Sequence, residues 1–271
     1  MKSGGELAVR ELTPTGRGGG VIVATPDYSP QPDEFRALNL ALFARKLPAV
    51  AGLDVAARCL VSRSAGHGHR SGRQLRGRVR RGAVGLACGA IYGNGFETAS
   101  FALMSKYMLR AIASSNPSPA SVVSHLNRAL LHTFRGERSL GLIYARYEPG
   151  QRKLALCNCG SSPPILLAGG LARLLQDRGP RLGEFEVWQR PALEITLTPG
   201  DVFVAYTDGI AESRRGREIL GPGPLVTALQ QRAGESSAAL AGACSSLPIL
   251  TPAGCPRGMA SCWWRDPVSA W

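Results

Sequence analysis

An aspartate at the end of an apolar run is the residue of this sequence best placed to do chemistry. The run "VFVAY" at residues 202–206 is typical of a buried strand, and Thr207, Asp208 and Gly209 follow it directly. Because glycine permits a sharp turn, Gly209 would hold the Asp208 carboxylate at the tip of that strand. Carboxylate oxygens are preferred ligands of hard divalent cations. Two interpretations follow: a metal ligand, or an Asp-Gly turn whose side chain accepts hydrogen bonds from nearby backbone N–H groups.

The cysteines and histidines form no comparable pattern. The seven cysteines are odd in number and include no CxxC pair, so the sequence indicates neither a disulfide framework nor a zinc site. Cys157 and Cys159 lie two apart in an alternating segment, and we expect them to share one sheet face as small buried hydrophobic residues. His67 and His69 have no cysteine or carboxylate close by, which argues against a metal pair.

The net charge of +13 is concentrated in one segment. Residues 63–81 ("RSAGHGHRSGRQLRGRVRR") contain seven arginines and no acidic residue. Such a run could contact a phosphate backbone. It contains no aromatic side chain to stack on bases, however, and its glycines and serines give no helical register. We therefore expect an atypical solvated loop over residues 62–82, and keep nucleic-acid binding as a less favoured alternative.

The pattern along the chain predicts an α+β fold. Residues 1–32 are rich in glycine and proline and are interpreted as a flexible lead-in. The segment "AVGLACGAIYGNG" (83–95) predicts a buried strand and a tight turn. Two helices follow, the second with Ser118 as N-cap and Pro119 as first residue. A β-hairpin, further short strands and a helix near 222–242 come next. This order predicts layers of antiparallel strands and helices, and not the strict alternation of a parallel-sheet fold.

No apolar run approaches the length of about 18 residues that a membrane-spanning helix needs. The first residues, "MKSGGELAVRELTPTGRGG", also lack the apolar core of a secretory signal. The sequence therefore predicts a cytoplasmic protein that makes no membrane contact.

Three segments, in this order, resemble one protein family. "CGAIYGNGFETASFALMSKYMLRA" (88–111) is similar to a Gly-Asp-x-x-Gly-x-Gly turn and the helix after it. "LALCNCGSSPPILL" (154–167) is similar to an Asn-x-Gly-x-x-Pro-Pro turn, with Ser161 where a histidine is usual. "PGDVFVAYTDGIAES" (199–213) is similar to a strand that ends in Thr-Asp-Gly. Together they resemble the PPM-type metal-dependent protein serine/threonine phosphatases, in the SpoIIE-like bacterial branch, over about residues 36–230.

The resemblance implies a fold, a cofactor and a partner. The fold would be an antiparallel β-sandwich flanked by helices, with a phosphatase domain over 33–243 and an irregular tail over 244–271. Two Mn²⁺ or Mg²⁺ ions would activate a water for attack on a phosphoryl group. Asp208 would be a metal ligand, and the near-site backbone would come from glycines: Gly89, Gly93, Gly95 and Gly209. The substrate would be a phosphorylated regulatory protein of the anti-sigma antagonist type, in sigma-factor partner switching.

Several acids that the resemblance calls for are missing. No Asp or Glu occurs between Val55 and Phe96, and Ala90 stands where the family has the aspartate of its Gly-Asp turn. Near the C-terminus, Asp266 is a possible second acid in place of an Asp-Asp pair. One carboxylate cannot offset the charge of two dications, so we expect phosphatase activity to be impaired.

The alternative function is a catalytically inactive pseudophosphatase that binds a regulator. One hypothesis for the missing acids is that residues 62–82 and 244–271 are translated out of frame or have drifted, because the family-like pattern stops and restarts abruptly at their edges.

Overall fold

The computed structural model describes residues 53–60, 70–78, 83–92, 95–211, 214–215, 218–219, 221–245 and 259–265. The expected lead-in at 1–32 lies outside these residues. So do His67, His69, Gly93 and Asp266.

Strands and helices alternate in blocks along the described chain. The first block is β1 (Asp54–Leu60), β2 (Arg70–Arg78), β3 (Val84–Tyr92), α1 (Gly95–Ser115) and α2 (Pro119–Phe134). The second is β4 (Leu140–Glu148), β5 (Lys153–Cys159), β6 (Ile165–Ala168), β7 (Leu171–Leu174), β8 (Leu193–Thr196) and β9 (Val202–Tyr206). The last is α3 (Asp208–Ala211), β10 (Arg214–Arg215), β11 (Glu218–Ile219), α4 (Gly223–Gln231), α5 (Ser237–Ser245) and β12 (Met259–Arg265).

Two five-stranded antiparallel sheets form the centre of the fold. Their strand orders are β1-β12-β9-β6-β7 and β2-β3-β4-β5-β8. One apolar cluster joins the sheets, with Ile143 and Leu156 from one and Leu166 and Phe203 from the other. Helices α1 and α2 cover the opposite face of the β4–β5 sheet, and α4 and α5 cover the opposite face of the β9 sheet. The predicted α+β class with antiparallel sheets flanked by helices is confirmed.

Helix α2 begins as the sequence predicts. The Ser118 side chain accepts a hydrogen bond from the backbone N–H of Ser121, and Pro119 occupies the first turn, where its missing N–H costs nothing. Val122, Leu126 and Leu130 recur at helical spacing and are fully buried against the sheet. Within the described residues, no helix combines the length and the apolar character needed to cross a bilayer.

The β4–β5 hairpin carries the two alternating cysteines. A 3₁₀ turn at Pro149–Gln151 joins the strands. Cys157 and Cys159 are both buried in the cluster beneath α1 and α2, so the prediction of a shared face is confirmed. Burial raises the pKa of the Cys157 thiol to about 12 and that of Cys159 well above its usual value. Both therefore remain neutral and inert at physiological pH.

Two segments expected to be irregular contain strands. Residues 70–78, inside the expected arginine-rich loop, pair along their whole length with β3. Residues 259–265, inside the expected irregular tail, lie between β1 and β9. The structure differs from the expectation because pairing uses backbone N–H and C=O groups, which every non-proline residue supplies whatever its side chain.

One further detail goes beyond the sequence expectations, and another differs from them. Strands β8 and β9 follow each other in sequence but lie in different sheets, so the turn at Pro199–Asp201 crosses between sheets. The single helix expected near 222–242 is two helices. It is interrupted because Gly234 has φ +95 and because Ser236 accepts a hydrogen bond from the N–H of Ala239, as an N-cap does.

Candidate functional site

The Asp208 carboxylate lies at the end of a fully buried strand. All five residues of β9 are buried, and Thr207 and Asp208 behind them are 3% and 9% exposed. Asp208 is the first residue of the short helix α3. Its Oδ1 accepts a hydrogen bond of 2.9 Å from the Ser162 hydroxyl. The carboxylate thus stands at the strand tip, as the sequence predicts, and it is held by a side chain 46 residues away.

Ser162 belongs to a turn that its own asparagine closes. Asn158, the last polar residue of β5, is 3% exposed. Its Oδ1 accepts from the N–H of Ser161 at 2.9 Å, and its Nδ2 donates to the carbonyls of Ser161 and Ser162 at 3.1 and 3.5 Å. A buried amide satisfied in this way fixes the turn in one geometry. The Asn-x-Gly-x-x-Pro-Pro pattern therefore encodes the support of Asp208.

Gly160 lets a neighbouring segment close over the same turn. Its φ is +70, and a Cβ added there would lie 2.2 Å from Cγ and 2.9 Å from the backbone N of Arg181. The Gly160 N–H donates to the Gly179 carbonyl at 2.9 Å, and Arg178 donates to the Gly160 carbonyl at 2.9 Å. Only glycine fits both the backbone angle and the space.

The Ala90 end of β3 is linked to this turn through β4. Ala90 pairs with Gly141 in the sheet. A Cβ added at Gly141 would lie 3.3 Å from the Ser161 hydroxyl and 3.5 Å from the Ala90 carbonyl oxygen. The structure therefore brings the Gly89–Ala90 part of β3 beside the turn that holds Asp208.

Gly89 has a packing role in this arrangement. A Cβ added there would lie 2.7 Å from the Gly141 carbonyl oxygen, so a side chain at this position would push β3 away from β4. Gly95 is the first residue of α1, and Gly209 lies within α3. Gly93 and Asp266 lie outside the described residues, so they are not placed relative to Asp208.

The side chains that the structure describes around Asp208 do not fit a pair of divalent cations. Among the described residues, no group of three or more His, Cys, Asp or Glu side chains could hold a metal ion. Ala90 contributes a methyl group at the strand end beside the Ser161 turn. Asp208 accepts from a hydroxyl, a contact that suits a carboxylate serving as a structural acceptor. A paired-cation centre needs several oxygen ligands to replace water, and the described part of this site does not supply them.

Ser162 is the residue that sequence reasoning missed. The motif singles out Ser161, which stands where a histidine is usual, and not Ser162. Ser161 lies against Gly141, whereas Ser162 reaches Asp208. The signal available was the motif itself: a second hydroxyl at the end of a closed turn, directly before two prolines that fix the chain direction.

The family is defined by sequence as well as by fold. Residues 80–247, more than half of the chain, match the family described as Stage II sporulation protein E (SpoIIE). The chain therefore belongs to the SpoIIE family of PPM-type phosphatases.

Individual relatives agree with this assignment. The phosphoserine phosphatase RsbU of Bacillus subtilis is 22% identical over 134 residues, which are 49% of this chain and 40% of RsbU. The RsbU and RsbW domains of Rv1364c from Mycobacterium tuberculosis superpose with a TM-score of 0.63 at 17% identity, over 93% of this chain and 62% of that one. The chain thus spans less than two thirds of either protein.

Two further solved structures share the fold. The PP2C phosphatase domain and a regulatory fragment of SpoIIE from Bacillus subtilis give a TM-score of 0.59 at 15% identity, over 94% of this chain and 66% of that one. RsbX in complex with magnesium gives a TM-score of 0.50 at 14% identity, over 75% of this chain and 98% of that one. Metal binding is thus a property of a neighbour with the same fold, whereas the described residues of this chain include no group of three or more His, Cys, Asp or Glu side chains that could hold a metal ion.

Proposed function

We propose that this chain is a SpoIIE-family protein with impaired two-metal phosphatase activity that acts by binding a phosphorylated regulatory protein. The observation that carries the proposal is the state of Asp208. It belongs to no group of three or more His, Cys, Asp or Glu side chains that could hold a metal ion among the described residues, and it accepts a hydrogen bond from Ser162. Ala90 at the adjoining strand end adds no second ligand.

The retained scaffold supports the binding part of the proposal. The two sheets, the covering helices and the closed Asn158–Ser162 turn are all present, although the acids are reduced. If the chain keeps the family's partner-binding surface but lacks its metal-ligating acids, it can still bind the partner of an active relative. By family resemblance that partner is a phosphorylated anti-sigma antagonist in the cytoplasm. Asp208, and Asp266 as a possible second acid, could at most hold a single Mn²⁺ or Mg²⁺ weakly.

The test combines turnover, metal binding and partner binding. The full chain and Bacillus subtilis RsbU, as the active control, are given Mn²⁺ and a phosphoserine peptide in parallel. We expect phosphate release by this chain to be more than about 100-fold slower than by RsbU, because loss of metal ligands removes the activating ions. Titration calorimetry with MnCl₂ should show no binding of two ions.

Binding of the regulator is measured separately. A serine-phosphorylated anti-sigma antagonist and its unphosphorylated form are titrated into the full chain. A dissociation constant in the micromolar range for the phosphorylated form supports the proposal. Two bound manganese ions together with turnover that the Asp208→Ala change abolishes would overturn the impaired-enzyme part. If neither the phosphorylated nor the unphosphorylated antagonist binds, the regulator-binding part is overturned.

A further inference from the structure

A groove lies between the edge strands of the two sheets, outside the Asp208 region. Its volume is about 540 Å³. Strand β7 forms one wall and β8 the other, and the segment after β7 closes one side. The lining residues used below are Arg173, Leu175, Asp177, Leu193, Glu194 and Ile195.

Both walls are strand edges. Among the described strands, β7 pairs with β6 alone and β8 pairs with β5 alone. An edge strand presents backbone N–H and C=O groups that can accept another strand. The groove therefore offers main-chain hydrogen bonds along its length, which is the feature that strand-adding partners use.

The two walls of the groove differ: the β8 wall contributes two apolar side chains, and the β7 wall exposes one leucine and one arginine. Leu193 and Ile195 of β8 pack against the cluster between the sheets and give the groove an apolar side. On β7, Ala172 and Leu174 pack toward α4, so the alternate residues Leu171 and Arg173 are the exposed ones. Leu171 is 69% exposed, which is unusual for a leucine within a strand.

The charges in the groove leave one cation without a counter-ion. The Glu194 carboxylate is 2.7 Å from the Lys153 ammonium, and Asp177 pairs with Arg190. Arg173 makes no ion pair among the described residues. The two acids are thus compensated and Arg173 is not, so the groove favours a negatively charged occupant.

We propose that this groove binds an extended acidic segment of a partner protein, which adds as a strand to the free edge of β7. One side chain of the segment would contact the apolar residues Leu171, Leu193 and Ile195. An acidic side chain opposite β7 would pair with Arg173, because residues opposite each other on adjacent strands lie close together. The chain's net charge of +13 increases the rate at which such a segment is encountered. The proposal is independent of whether the Asp208 site turns over substrate.

The experiment uses a fluorescein-labelled peptide of alternating valine and aspartate, eight residues long, with the full chain. Its affinity is measured by fluorescence anisotropy. Three comparison peptides are titrated alongside: one with asparagine in place of aspartate, one with lysine in place of aspartate, and one N-methylated at alternate residues. We expect the acidic peptide alone to bind, because the others lack either the charge or the main-chain donors.

Two charge-reversal variants identify the surface. Arg173→Glu should weaken binding of the acidic peptide about tenfold. Arg128→Glu is the matched control, because Arg128 is an exposed arginine on α2 and does not line the groove. Arg128→Glu should change binding less than twofold.

In the peptide titrations, four results would overturn the proposal. They are no binding of the acidic peptide up to about 1 mM, equal weakening by the two variants, undiminished binding of the N-methylated peptide, and binding of the asparagine peptide as tight as that of the acidic one. If sedimentation shows a dimer that Arg173→Glu dissociates, the occupant is a second copy of this chain, and the partner proposal is wrong.

Discussion

The two strand ends that meet at the candidate site differ in how they are supported. On the Asp208 side, the Asn158 amide closes a turn, Gly160 admits the neighbouring segment, and Ser162 donates to the carboxylate. On the β3 side, Ala90 provides a methyl group and ordinary sheet pairing with Gly141. The difference shows that the hydrogen bonds that hold a metal-ligand position in place can be present where other metal-ligand side chains are missing. The turn is held by its own hydrogen bonds, so it does not need a cation to keep its geometry.

The largest effect should come from Gly160→Ala. The new Cβ would meet Arg181 at 2.2 and 2.9 Å while the backbone stays at φ +70, so we expect a loss of about 3 kcal/mol or more in the free energy of unfolding. Gly169→Ala is the matched control, because Gly169 has φ +56 but no neighbouring atom within 4 Å. It should cost about 1 kcal/mol. Urea unfolding of both variants measures the difference, and equal losses would show that the close packing over the turn is not needed.

A smaller loss in the free energy of unfolding is expected for Asn158→Ala. The change removes three hydrogen bonds and leaves the buried Ser161 N–H without its acceptor, which should cost about 2–3 kcal/mol. Asn116→Ala, at the end of α1, removes hydrogen bonds that are partly exposed and should cost less than about 1 kcal/mol. If Asn158→Ala unfolds at the same urea concentration as the wild type, the turn is not the main support of Asp208.

The Ser162–Asp208 contact can be measured by a double-mutant cycle. Ser162→Ala, Asp208→Asn and the double variant should give a coupling free energy of about 1 kcal/mol, because a hydroxyl donates to a carboxylate in a buried setting. The cycle is repeated with 10 mM MnCl₂, which is about a hundred times the Kd of a weak site that binds at about 0.1 mM. A melting temperature that rises with Mn²⁺ in the wild type but not in Asp208→Asn would show that Asp208 is a metal ligand after all.

The smallest expected effect is the contribution of Cys157, on strand β5, to the pH dependence of the free energy of unfolding. Burial raises the pKa of Cys157 from 9.0 to about 12 in the folded chain. Above pH 9 the unfolded chain loses this proton first, so stability is fully present below pH 9 and falls as pH rises toward 12. Cys157→Ala should remove less than about 1 kcal/mol of the fall between pH 7.5 and 9.5. Urea unfolding at the two pH values measures it, and an unchanged pH dependence in the variant would contradict the assignment.

The sequence predicts those parts of the fold that local patterns determine. Strand β9 and the Asp208 tip follow from one apolar run and a glycine, and α2 follows from Ser118, Pro119 and a helical apolar repeat. These features were predictable because the residues that stabilise them are neighbours in sequence.

Features that depend on distant residues were not predictable. Ser162 reaches Asp208 across 46 positions, and although the turn motif contains a second hydroxyl, it does not indicate Asp208 as the partner. Strands β8 and β9 join different sheets, and this depends on which sheet edges are unpaired once the β4–β5 hairpin has formed. The sequences of strands β2 and β12 lack the alternation that predicts a strand. Both segments are nevertheless strands, because pairing with neighbouring strands and not intrinsic propensity determines their conformation.

The central position of β12 has a consequence for how the protein is made. Residues 259–265 separate β1 from β9, so during translation that sheet cannot be completed until residue 265 has been synthesised. Until then, two strands wait with unpaired edges, a state prone to aggregation. Contacts between residues about 200 positions apart also slow folding. The nascent polypeptide would therefore depend on chaperones more than one whose strands pair in the order in which they are synthesised.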